Sequence, residues 1–190
     1  MIRKIDSRDK LGNEQIRILF PGMALGQSDT GIATIGRIDH ARLPAGTTIP
    51  MHPHINDEIL SYFRSGIVKH TDSAGFVEYI TASKLMLMKA GKAFYHEESI
   101  QQSRDTFEGL QIFIRPGKPN MEPEVQFHEL STVHDEHDWR LLAAPTEAPL
   151  QLSSQTWIYD TRMTQGKDRK LPDYGKSHLA LLYILSLIHI

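Results

Sequence analysis

Turn signals recur too often in this chain for long elements to form. Pro21-Gly22, Pro44-Ala45-Gly46, Ser65-Gly66, Asp72-Ser73-Ala74-Gly75, Ala90-Gly91 and Pro116-Gly117 interrupt it at short intervals. Proline fixes one backbone angle and glycine frees both, so each pair marks a reversal. Between them lie short runs with two-residue alternation or β-branched and aromatic content: TGIATIGRIDHARL, EILSYFRSGIVKH, FVEYITASKLMLM and LQIFIRP. No segment before residue 130 keeps a 3.6-residue apolar period through three turns. This rhythm predicts an all-β sandwich or barrel rather than alternating βαβ units.

Composition narrows the function. The 190 residues are 40% hydrophobic and 23% charged, as in an ordinary globular protein able to bury a core. A net charge of -2 gives no electrostatic footprint for nucleic acid or an anionic membrane. With no cysteine, disulfides, thiolate zinc sites and thiol nucleophiles are excluded, and a reducing cytoplasm is the expected compartment. MIRKIDSRDK lacks the apolar stretch of a signal peptide, and the run LALLYILSLIHI is too short to span a bilayer. Neither a glycine-rich phosphate loop nor a Gly-x-Ser-x-Gly elbow occurs, so nucleotide and serine-hydrolase chemistry fall away.

Composition shifts near residue 131, where STVHDEHDWRLLAAPTEAP turns acidic and then Ala/Pro-rich. We therefore expect one β unit over 1–133, a linker over 134–148, and a second unit from 149 that carries QLSSQTWIYDTRM, a polar loop and a final apolar strand. The last six residues, LSLIHI (185–190), equal the translation of a transposon mosaic-end adaptor used in sequencing libraries. The expectation is that the natural chain continues and that this second unit is cut short.

The chemistry concentrates in two places. In MHPHINDEIL, His52 and His54 stand at i and i+2, so a strand presents both imidazoles on one face. Glu58 would share that face if the strand ran on regularly, either holding an imidazole or acting as a general base. In AGKAFYHEES, His96 and Glu98 repeat the i, i+2 spacing. Two adjacent antiparallel strands offering such pairs would gather three imidazoles and a carboxylate around one point. That set suits a divalent first-row metal with two positions left open. A lone His-x-His is more often incidental, and the glycine frame is what raises the odds: Gly46 lies six residues before His52, and Gly66 eight after Glu58. His70-Thr71-Asp72-Ser73-Ala74-Gly75 reads as a hairpin turn, with His70 structural rather than an extra ligand. Phe63, Met86, Met88, Phe94 and Tyr95 read as core, with the lining of an apolar pocket as the alternative. His134, His137 and His178 have no partner at ligand spacing and read as solvated.

The pattern G-x5-H-x-H-x3-E-x7-G followed by A-G-x4-H-x-E resembles the pirin branch of the cupins, carried by MHPHINDEILSYFRSG, IVKHTDSAG and MLMKAGKAFYHEES. The resemblance spans roughly residues 15–185 and is most specific between 46 and 98. It implies a cupin-type, jelly-roll-like β-barrel, the N-terminal one of a bicupin whose second barrel is incomplete here. It also implies His52, His54, His96 and Glu98 as ligands of one divalent metal, usually Fe(II), with Mn, Ni, Cu, Co or Zn as alternatives. The implied activity is a dioxygenase of the quercetin 2,3-dioxygenase type acting on an enol-bearing aromatic, with Glu58 assisting proton removal. Two other functions fit the family: a metal- or redox-responsive regulator working through a transcription-regulator partner, and a cupin isomerase. The chain departs from the pirin pattern at Asn56, where a glycine is usual. It departs again at Ser83-Lys84 and at Leu87-Met88-Lys89, so substrate identity does not carry over.

Overall fold

The computed structural model describes residues 2–6, 10–173, 175 and 178–185. Residues 186–190, and with them most of the suspected adaptor sequence, lie outside the described residues.

Among the described residues the chain is almost wholly β. It runs β1 (Leu11–Gly12), β2 (Ile16–Leu19), a single helical turn α1 (Pro21–Ala24), β3 (Ile35–Leu43), β4 (Thr48–His54), β5 (Glu58–Ser65), β6 (Val68–Asp72) and β7 (Val77–Ile80). It continues through β8 (Lys84–Lys89), β9 (Phe94–Ile100), β10 (Phe107–Ile114), β11 (Glu124–Glu129), β12 (Arg140–Ala144), β13 (Leu150–Gln151) and β14 (Ile158–Asp160). One sheet has the order β1-β2-β3-β10-β5-β8-β11, a second the order β4-β9-β6-β7, and a small third the order β13-β12-β14.

The first two sheets face each other across a core of Leu43, Phe63, Val68, Ile80, Met86, Ile100 and Phe107. No ladder joins them among the described residues, so the expected barrel is an open, cupin-like sandwich. The back of the seven-stranded sheet is covered as well. Leu60, Leu85, Leu87 and Ile114 pack there against Leu130, Leu142, Ala143, Leu150 and Leu152. Burial on both faces explains why β5 and β8 read as near-continuous apolar runs instead of alternating. Phe63, Met86, Met88 and Phe94 are core, whereas Tyr95 is exposed.

Three expectations change. The stretch 134–148, read as a linker, contains β12. Its alanines are not linker residues, since Ala143 and Ala144 are fully buried and Ala143 packs against the back of the seven-stranded sheet. The anticipated C-terminal strand makes no ladder among the described residues. Leu181, Tyr183 and Leu185 instead lie against Leu19, Ile38 and Leu110, and Leu179, Leu182 and Ile184 point outward. The strand β6 runs through His70 to Asp72, so the turn is shorter than expected and starts at Ser73. His134 and His137 are exposed, and exposed His178 sets its ring edge-on to Trp157.

Gly91 and Gly46 separate two reasons for needing glycine. Both have positive φ, +54° and +84°. A Cβ at Gly46 meets nothing within 4 Å, but one at Gly91 would lie 2.1 Å from the Met121 carbonyl oxygen. Gly46→Ala should therefore cost only about 1–2 kcal/mol of backbone strain, and Gly91→Ala should cost at least about 2 kcal/mol more. Urea denaturation of both variants checks this, and equal losses would contradict it.

Candidate metal centre

The two histidine motifs meet because β4 and β9 are antiparallel neighbours. His52 sits directly opposite His96, and a bulge between Ile49 and His52 adjusts the register. The Nε2 atoms of His52 and His54 each lie 3.1 Å from Nε2 of His96, and the three residues form a group whose ligand atoms are all within 4.8 Å. Nitrogens bound to one first-row ion at about 2.1 Å lie about 3.0 Å apart when at right angles. The donor spacing fits such an ion.

The far side of each ring sharpens this. His52 donates its Nδ1–H to the Pro50 carbonyl at 2.9 Å, and His54 donates its own to Asp57 Oδ2 at 3.3 Å. A proton held on Nδ1 leaves a lone pair on Nε2, so acceptors on the outside orient ligands on the inside. His96 is 1% exposed, and its pKa is pushed down to about 2, first by burial and then by His52, His54 and His70. It stays neutral at any ordinary pH.

Glu98 does not join the three imidazoles. It is buried, and Gln111 Nε2 donates to both its oxygens at 2.8 and 3.0 Å. Burial pushes its pKa up to about 7 against that hydrogen bond. Its ligand atoms group instead with His70 and His96, again within 4.8 Å. His70 is fully buried, with Nε2 at 2.8 Å from Asp72 Oδ2 and Nδ1 at 3.5 Å from Nδ1 of His96.

Glu58 is a correction. It is 1% exposed but accepts a hydrogen bond from the Ser153 backbone N–H at 2.8 Å, on the back of the seven-stranded sheet. Ile59 takes the inward face, packed with Met88 and Phe113, and Phe113 in turn touches His54. The i, i+2 extrapolation from His54 fails at Asn56, whose φ of +54° carries the chain from one sheet to the other. Asn56 does take the left-handed conformation expected of a glycine substitute. The carboxylate that reaches His54 is Asp57.

Other inward-facing polar groups escaped the sequence reading. Asp39 pairs with Gln111 in the ladder between β3 and β10, and Arg37 with Phe113. Arg37 Nε lies 3.0 Å from Asp39 Oδ1, with its guanidinium 3.7 Å from the Phe113 ring centroid. Burial raises the Asp39 pKa to about 6 although Arg37 and His54 oppose the rise. Ser61, opposite Gln111, is buried and its hydroxyl has no hydrogen-bond partner among the described residues. The alternation of β3 and β10 could have placed Asp39 and Gln111 on one face, but no local motif marks them.

Residues 23–114 match the family model described as Pirin. Over this stretch, 92 of its 190 residues, the chain matches the pirin family. It is 30% identical over 103 residues to quercetin 2,3-dioxygenase of Escherichia coli K12, which covers 54% of this chain and 45% of that one. It is 35% identical over 82 residues to a putative quercetin 2,3-dioxygenase of Zymomonas mobilis, covering 43% of this chain and 34% of the relative. The match thus spans less than half the length of these curated relatives. Its fold is similar to that of YhhW from Escherichia coli, with a TM-score of 0.69 at 22% identity over 82% of this chain and 68% of that one. A nickel(II) complex of the same bacterial pirin matches with a TM-score of 0.66 at 22% identity, covering 79% and 66%. No helix among the described residues is long and apolar enough to cross a membrane.

Asp39 makes the inward face sensitive to pH. Its folded pKa of about 6 lies above the ordinary 3.8, so its neutral form stabilises the fold. That contribution is complete below 3.8 and lost as pH rises through about 6. Asp39→Asn should match the native protein near pH 4 and exceed its stability by on the order of 2 kcal/mol at pH 7.5. Denaturation of metal-free protein at the two pH values checks this. A pH-independent difference would contradict it.

Proposed function

We propose that this chain is a pirin that binds one divalent first-row metal ion through His52, His54 and His96, with Glu98 as fourth ligand, and that it is an Fe(II)-dependent dioxygenase of the quercetin 2,3-dioxygenase type. The observation that carries the metal reading is the convergence of three Nε2 atoms, two of them with Nδ1 committed to an outer acceptor. Bare imidazole lone pairs at this spacing repel one another, and a shared cation relieves that. Glu98 as a ligand is supported by its i+2 position after His96 and by its burial, and it requires the carboxylate to turn from Gln111.

The substrate class is supported by the names of the relatives and by the inward face. Iron at such a centre supplies Lewis acidity toward a substrate hydroxyl and a site for dioxygen activation. Asp39, whose pKa burial raises to about 6, is an inward carboxyl group able to hold a proton near neutrality beside the ligands. Glu58 faces away and has no part in proton removal. Phe113 and Met88 give the neighbouring wall an apolar surface that suits an aromatic ring.

Metal analysis of the purified protein should find one ion per chain, lost in His96→Ala and weakened at least tenfold in Glu98→Gln. Oxygen uptake by iron-loaded protein with quercetin and a panel of enediols should be abolished by His96→Ala and unchanged in Glu58→Gln. Stoichiometric iron with no uptake across the panel would overturn the dioxygenase and leave a metal-responsive regulator acting through a protein partner. Absence of bound metal would overturn the centre itself.

A further inference from the structure

The outer partners of His52 and His54 are a carbonyl and a carboxylate, which can only accept a proton. His96 differs. Its Nδ1 faces Nδ1 of His70, and an imidazole nitrogen can play either part. Something else must decide which of the two rings donates.

We propose that Asp72 fixes the tautomer of His96 through His70, and so leaves His96 Nε2 free to bind metal. The inference rests on the metal-centre reading above. The two side chains Asp72 and His70 are fully excluded from solvent, 2.8 Å apart. Asp72 Oδ1 is occupied by the backbone N–H groups of Ala74 and Phe76 at 2.9 and 3.1 Å, which orients Oδ2 at His70 Nε2. A carboxylate oxygen accepts, so His70 carries its proton on Nε2 and its Nδ1 is bare. That bare Nδ1, at the outer reach of a hydrogen bond, accepts from Nδ1–H of His96. The lone pair of His96 then falls on Nε2, where the other two rings converge. Glu98, the other carboxylate beside this pair, takes its hydrogen bonds from Gln111, while His70 Nε2 is directed at Asp72. A pair that resembles the strut of a hairpin is thus a positioning device for a ligand 24 residues downstream of Asp72.

Asp72→Asn reverses the relay without dismantling the turn. The amide oxygen keeps the two turn hydrogen bonds, which leaves the NH2 group facing His70 Nε2. His70 must then accept at Nε2 and donate from Nδ1, which forces the proton of His96 onto Nε2. Nickel(II) affinity, measured by competition titration, should fall 10- to 100-fold while far-UV circular dichroism stays native. Long-range 1H–15N spectra of metal-free, 15N-histidine protein should show His96 protonated at Nδ1 and His70 at Nε2, both exchanged in Asp72→Asn. This spectroscopic readout is independent of metal, so a native protein that binds none refutes the centre and still tests the relay. Native His96 protonated at Nε2, or a folded Asp72→Asn variant with unchanged nickel affinity, overturns the proposal. So does a second ion per chain that His70→Ala removes, since His70 would then be a ligand itself.

Discussion

Two backbone hydrogen bonds hold together the segments that deliver the histidines of the candidate metal centre. Asn56 N–H donates to the Gly91 carbonyl and Ala90 N–H to the Asp57 carbonyl, each at 2.8 Å. They join the connection from β4 to β5 with the connection from β8 to β9. At this crossing both segments change sheets: β4 and β9 belong to the four-stranded sheet, β5 and β8 to the seven-stranded one. His54 comes two residues before the crossing and His96 five after it, so both motifs are delivered to the same end of the sandwich. Left-handed backbone at Asn56 and Gly91, both with φ of +54°, permits the tight approach. A third segment clamps it, because Asn56 exchanges hydrogen bonds with Asn120 while Lys92 N–H donates to the Met121 carbonyl.

The same crossing explains what could be read from the sequence and what could not. Alternation, turn residues and the two i, i+2 pairs are local signals, and they placed β4 and β9 and faced His52, His54 and His96 inward. Glu58 was misplaced because face assignment by counting holds only within one strand, and the strand ends at Asn56. Asp39 and Gln111 are 72 residues apart, and only the ladder between β3 and β10 makes them neighbours. The Ala/Pro-rich stretch misled for a different reason. Small residues mark a linker and a close sheet contact equally well, and Leu142 and Ala143 make the contact.

The inward face makes sense as a site and poorly as a core. Burial pushes His96 down and Glu98 and Asp39 up, so this interior disfavours charge of either sign. Filling it with apolar side chains of similar volume would generally be neutral or stabilising. The sandwich instead keeps three convergent imidazoles, two carboxyls and a buried Ser61 hydroxyl, unpartnered among the described residues, there. A multivalent cation offsets the desolvation of several such groups together, which no single neighbouring side chain does.

Gln111 and Asp72 then stand in parallel roles behind the two members of the His96-x-Glu98 pair. Gln111 offers donors to Glu98, favouring the ionised carboxylate that burial opposes. Asp72 offers an acceptor to His70, whose other nitrogen faces His96. Each supplies the hydrogen-bonding character its partner lacks: Asp72 shares β6 with His70 and lies on the strand paired with that of His96, and Gln111 lies on β10 in the facing sheet. The two ligand motifs alone therefore specify where donors sit. The protonation state that would make His96 a ligand depends on residues that no His-x-His or His-x-Glu spacing reveals.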